Sequence, residues 1–149
     1  MFTHLLHPEI PKIKQVNIDG VRYYDTPDGT LISITSLLKN FTPQGILDWR
    51  EAVGEEVANE VMRAAADRGS KVHKIIENCL SNKSENDLVG NYGDLAARMF
   101  SQMVPALDKI DRIRALEKGL YSTRFGIAGR VDCIAEYDKE LTVIDFKTS

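Results

Sequence analysis

With 149 residues, 43% hydrophobic and 28% charged, the chain has the composition of a soluble globular protein, long enough for one domain with a sizeable core. Its formal net charge of −3 excludes nucleic-acid binding by bulk electrostatics and leaves only local basic patches for such contacts. No apolar run is long enough for a membrane span, and Cys79 and Cys133 are too few for a four-cysteine metal site, so two buried free thiols are expected. The N-terminus lacks the basic start and apolar stretch of a signal peptide, which makes a cytoplasmic protein the expectation.

The first third reads as β-rich. An Asp19-Gly20 pair between short β-prone segments, Gln15 to Tyr24, signals a hairpin. A second turn at Thr26-Pro27-Asp28-Gly29 leads into the strand-like Thr30 to Ile34, and Thr35 or Ser36 is placed to cap a short helix, Leu37 to Asn40. This small N-terminal lobe, residues 1–34, is read as a sheet packing on the helices. From Pro43 the period changes. Ile46, Trp49, Val53, Val57 and Val61 recur at three and four, the buried stripe of an amphipathic helix. Gly69 is expected to break that helix and Ser70 to start another, with Val72, Ile75, Ile76, Cys79 and Leu80 on its apolar side. His73 and Glu77 are four apart on one helical face. The polar stretch Asn82 to Asn91 reads as a loop, and a third helix starts near Gly93, its stripe being Leu95, Met99, Met103 and Leu107, with a kink or split at Pro105.

Ile113 to Ser122 then reads as a strand, followed by a hairpin over Ile127 to Ser149 that turns at Asp138-Lys139-Glu140. A small β lobe, three helices and at least three strands make an α+β, or mixed α/β, fold with helices packed on a central mixed sheet. In the last hairpin, strand alternation puts Asp145 and Lys147 on one face, and Asp132 stands in the adjacent strand. Carboxylates among apolar Val143, Ile144 and Phe146 need a compensating partner. Asp132 and Asp145 could share a hard divalent cation, and Lys147 could orient or deprotonate a water and offset developing negative charge. A surface charge pair is the alternative. Gly129, just before Asp132, allows a close backbone approach or a bulge.

Three motifs occur in order: RGSKVHKIIE (Arg68 to Glu77), GRVD within Gly126 to Ser149, and DFKTS at the end. Together they resemble the PD-(D/E)XK nuclease superfamily, most closely its RecB-like exonuclease branch, which takes in phage and mitochondrial genome maintenance exonucleases. The resemblance covers the chain from about Ser33 onward. It implies a restriction-endonuclease-like core and a Mg²⁺- or Mn²⁺-dependent DNA exonuclease acting on single strands or ends, by in-line attack of a metal-activated water that leaves a 5′-phosphate. It implies His73, Asp132 and Asp145 as metal ligands with the backbone carbonyl of Phe146, and Asp132, Asp145, Lys147 and Glu77 as catalytic residues. Glu77 acts there directly, through a metal-bound water, or structurally. Glu117 matches an acid often seen on the preceding strand, with a solvated or salt-bridged glutamate as the alternative. Arg68 and Lys71 stand where they could contact phosphate, or are surface charge.

In the resembled family a helix with a Gln-xxx-Tyr motif follows the lysine strand, whereas this chain ends two residues after Lys147. The expectation is therefore a chain cut short after the catalytic lysine strand, with an exposed apolar strand that self-association could cover. A truncated, non-catalytic DNA-binding or assembly module of the same fold is the alternative function. A setting in phage-like recombination, repair or genome processing, in the host cytoplasm if phage-encoded, fits the resemblance, and no membrane partner is expected.

Overall fold

Asp19 and Gly20 form the expected turn. In the computed structural model, which describes residues 1–5, 9–84 and 91–148, both have positive φ, 51° and 79°. That is the backbone of a two-residue hairpin turn whose twist suits the flanking strands. The strands are β1 (Lys14–Ile18) and β2 (Val21–Thr26), and β3 (Gly29–Ser33) returns antiparallel to β2. β3 then pairs in parallel with β5 (Ile127–Tyr137) at Ile32–Ile127 and Ser33–Ala128. The N-terminal strands are thus one end of a six-stranded mixed sheet, continued by β4 (Ile110–Ser122) and β6 (Glu140–Ile144) on β5. With its helices this is an α+β fold.

The helices depart from expectation in their boundaries. α1 (Ile34–Leu38) starts earlier than its predicted cap, and Ser36 Oγ instead accepts the backbone N–H of Arg22 at 3.1 Å. α2 (Gln44–Val53) ends at Gly54, whose φ of 84° closes it, and α3 runs unbroken from Glu55 to Leu80 through Gly69. A mid-helix glycine costs only about 1 kcal/mol, which packing readily offsets. Here the missing side chain has a use: a Cβ on Gly69 would sit 3.2 Å from Thr148 Oγ1, so the C-terminal segment lies against the helix there. α4 (Asp94–Leu107) keeps Pro105 inside one helix, in its last turn. Of the polar loop predicted over Asn82 to Asn91, residues 85–90 lie outside the described residues.

The core is built from the C-terminal half of α3 (Val72, Ile75, Ile76, Leu80), from Ala96, Phe100 and Leu107 of α4, and from Ile110, Ile113, Cys133 and Ala135 of the sheet. Phe146 joins it. The stripe expected to be buried further up is not: Ile46, Val53, Val57 and Val61 are exposed, and Ala58 is the buried residue in that half of α3. That half meets α2 instead of the sheet layer. Arg50 of α2 reaches across to Asn59 Oδ1 (2.8 Å) and to Glu55 (3.5 Å).

Around β5 the sheet has a gap that matters for the site. One edge of β5 is paired by β3 at residues 127–128 and by β6 at Cys133 to Tyr137, which leaves 129–132 without a ladder partner on that side among the described residues. β4 covers the other edge, from Ile110 to Ser122 with a register shift between Asp111 and Ala115. Gly129 begins this stretch and makes a close approach, since a Cβ there would lie 2.9 Å from Ile34 Cγ2. The last hairpin turns at Asp138 and Lys139, φ 50° and 73°. Its second strand stops at Ile144, so Asp145 and Lys147 stand outside the expected strand. The cause is local: the N–H of Phe146 leaves the ladder to donate to the Asp132 carboxylate at 2.8 Å.

Candidate metal centre

His73 reaches the sheet from the buried face of α3, between Val72 and Ile76. Its Nε2 lies 2.7 Å from the carbonyl oxygen of Phe146. A carbonyl only accepts, so Nε2 carries the proton, and the neutral ring presents its lone pair at Nδ1. That nitrogen faces two carboxylates, with Glu117 Oε1 and Asp132 Oδ2 each 3.8 Å away. At this distance the contacts are charge pairs, longer than hydrogen bonds.

The two acids come from adjacent strands. Leu116 pairs with Cys133 and Lys118 with Val131, which sets Glu117 opposite Asp132. Glu117 has a left-handed backbone, φ 49°, a strained conformation for a non-glycine residue inside a strand. Both side chains are largely sheltered, 14% and 15% exposed. Like charges opposite one another across a ladder repel, and burial strengthens the effect. Arg130 compensates at any pH, and His73 does so when it is protonated. Arg130 Nε meets Glu117 Oε2 at 2.7 Å, and His73 stands against both acids.

The titration behaviour follows. The pull of Glu117 on the His73 proton, reinforced by Asp132 and the Phe146 carbonyl, outweighs partial burial and holds His73 above its usual value. Burial would push the Glu117 carboxyl up, but the pull of the nearby His73 and the charge of Arg130 carry it below its usual value.

One nitrogen and two carboxylate oxygens, all within 4.8 Å of one another, form the group of potential metal ligands found among the described residues. Around an octahedral cation with bonds of about 2.1 Å, ligand atoms lie about 3–4 Å apart, which these positions nearly match. The histidine is also oriented as metal-binding imidazoles usually are, its far N–H held by a carbonyl. The donor set fits a hard or borderline divalent cation.

Other expected site residues sit around this group. Glu77 binds Lys74 at 2.6 Å and lines, with His73, Glu117 and Arg130, an open cavity of about 580 Å³. The Asp145 carboxylate is not drawn into the cluster. It is exposed and pairs with Lys147 at 2.8 Å, although it lines one groove with Asp132. That pairing, with a smaller pull from Asp132, raises the Lys147 ammonium above its usual value. The Phe146 carbonyl is taken up by His73. Lys71 binds Asp67 at 2.7 Å. Glu117 is a member of the cluster that sequence reasoning left balanced between a site acid and a salt-bridged glutamate, and it is salt-bridged as well. Arg130 carried no signal beyond its place in the GRVD motif.

No protein-family model matches the chain. Among curated proteins it is similar to mitochondrial genome maintenance exonuclease 1 of Xenopus tropicalis, 28% identical over an alignment of 133 positions that covers 82% of this chain and 37% of that protein. The proteins of the same name from Mus musculus (28% identity, 78% of this chain, 36% of the relative) and Homo sapiens (29%, 76% and 31%) are similar to a like degree. The chain spans about a third of the length of the curated relatives it matches.

Proposed function

We propose that this chain is a nuclease unit that hydrolyses DNA phosphodiester bonds with a divalent cation, Mg²⁺ or Mn²⁺, held by His73, Glu117 and Asp132. The observation that carries this reading is the orientation of His73, whose Nδ1 lone pair is turned onto two sheltered carboxylates. The similarity to proteins named exonuclease supports the reaction class, and we take single strands or ends as the substrate to be tested.

The cation supplies charge neutralisation at the phosphoryl oxygens and activation of the attacking water. The protein's groups do the rest. The Phe146 carbonyl fixes the imidazole tautomer, and the Phe146 N–H fixes the Asp132 carboxylate. We assign Asp145 as a further oxygen donor beside Asp132. Its hold on Lys147 keeps that ammonium protonated at neutral pH, which suits Lys147 to offsetting phosphate charge and orienting water better than to accepting a proton. Glu77, at the cavity wall, is placed to act through water. In the step itself, water oxygen bonds to phosphorus as the P–O3′ bond breaks. One water proton goes to solvent, and the departing 3′ oxygen takes up another.

The test uses end-labelled single- and double-stranded DNA with Mg²⁺ or Mn²⁺, comparing the native chain with Asp132→Ala, Asp145→Ala and Lys147→Ala. Metal-dependent degradation that all three substitutions abolish is the expected result. Binding without cleavage by the native chain would replace this reading with that of a non-catalytic DNA-binding module.

A further inference from the structure

We propose that Arg130 is the phosphate-holding residue of this site, gripping a backbone phosphate of the nucleic-acid strand beside the metal cluster. The inference rests on the nuclease reading and names a substrate contact for it. The cavity over the cluster is lined by Lys74 and Arg130 besides His73. Lys74 is ion-paired with Glu77 at 2.6 Å, and the nearby Lys71 and Lys147 with Asp67 and Asp145; each is a point charge on a flexible stem. Arg130 alone among these presents the planar fork of a guanidinium. Its Nε is ion-paired with Glu117 at 2.7 Å, and Glu117 is the one acid paired with this guanidinium among the described residues. The side chain is 56% exposed and borders a second hollow on the other side, shared with Glu117 and Gly119.

The geometry ties this fork to the cluster. Glu117 gives Oε1 to the His73 side and Oε2 to Arg130, so one carboxylate bridges the metal position and the guanidinium. A planar guanidinium pinned at Nε offers its outer edge in a fixed plane, the arrangement that suits two-point binding of phosphate oxygens. The chain's net charge is −3, so strand binding depends on such local cations. A phosphate held there would lie next to the cation that Glu117 helps to bind.

The experiment uses the full chain, a fluorescein-labelled oligothymidylate of about twenty nucleotides, and Ca²⁺ in place of Mg²⁺. Strand affinity is measured against salt concentration for the native chain, Arg130→Gln and Arg130→Lys, and Mn²⁺ affinity is measured separately without DNA. The proposal expects Arg130→Gln to bind the strand about tenfold more weakly. The slope of log affinity against log salt should become shallower by about 0.7, the value of one single-strand phosphate contact. Arg130→Lys should restore the slope while recovering only part of the affinity, and Mn²⁺ affinity should change less than threefold in both. An unchanged slope, or a loss of Mn²⁺ affinity that parallels the loss of strand affinity, would show that Arg130 only braces Glu117 and overturn the proposal. Because Arg130→Lys keeps a positive charge beside Glu117, it also serves if the glutamine variant does not fold. A native chain that shows the Arg130-dependent slope yet never cleaves with Mg²⁺ would sink the nuclease reading and leave the phosphate contact standing.

Discussion

Asp132 has two jobs in this structure, and two substitutions separate them. Its charge belongs to the metal cluster, and its Oδ2 accepts the Phe146 N–H at 2.8 Å, the bond that draws the chain out of the β6 ladder. Asp132→Asn and Asp132→Ala remove the same charge, so the change in repulsion with Glu117 and in attraction to His73 is common to both. They differ in the acceptor. Asparagine can still take the Phe146 N–H, whereas alanine leaves that donor unpaired beneath a residue only 6% exposed. A sheltered donor without a partner costs about 1–3 kcal/mol. At about 2–4 °C per kcal/mol for a chain of this size, Asp132→Ala should melt about 2–12 °C below Asp132→Asn. The assay is thermal and denaturant unfolding in EDTA, so that metal binding does not enter. Equal midpoints, or an alanine variant more stable than the asparagine variant, would refute the claim that this bond anchors the C-terminal segment.

Other outcomes follow from the same geometry. His73 is held above its ordinary 6.5, so its protonated form stabilises the metal-free protein fully below about that pH, and this contribution fades as pH rises through the raised value. A cation competes for the same Nδ1, so Mn²⁺ affinity measured by calorimetry should climb as pH rises through that window, and His73→Gln should flatten the climb. Burial pushes the Cys133 thiol up to about 11, leaving about one thiolate per thousand at pH 8. Cys133 should therefore react with a disulfide reagent only once the protein is unfolded, as labelling followed by peptide mass analysis would show. A Cβ on Gly119 would overlap the Ile13 side chain, so Gly119→Val should destabilise by about 1–3 kcal/mol in urea titrations.

Local chemistry in the sequence foretold the hairpins, because Asp19-Gly20 and Asp138-Lys139 need only their own backbone preferences to turn. The α+β class and the core stripe Val72, Ile75, Ile76 and Leu80 follow from periodicity alone. Tertiary context decided the rest. Gly69 reads as a breaker, yet the close lie of Thr148 gives it a place inside a continuous helix. Ile46, Val53, Val57 and Val61 have a core period but stand exposed among the described residues. Alternation predicted that Asp145 and Lys147 share a strand, and it failed because the Phe146 N–H bonds the Asp132 carboxylate. At the site, His73 and Asp132 could be picked from motif spacing. Glu117 could not be settled, since its strained φ and its Arg130 partner arise only when β4 and β5 pair.

The account stands on His73, Glu117 and Asp132 sharing one cation. Anomalous diffraction from crystals soaked in Mn²⁺ tests this most directly. The prediction is a single strong peak about 2.0–2.3 Å from His73 Nδ1 and from a carboxylate oxygen of both Glu117 and Asp132. No peak at millimolar Mn²⁺, or a peak among other residues with His73 Nδ1 left free, would contradict it.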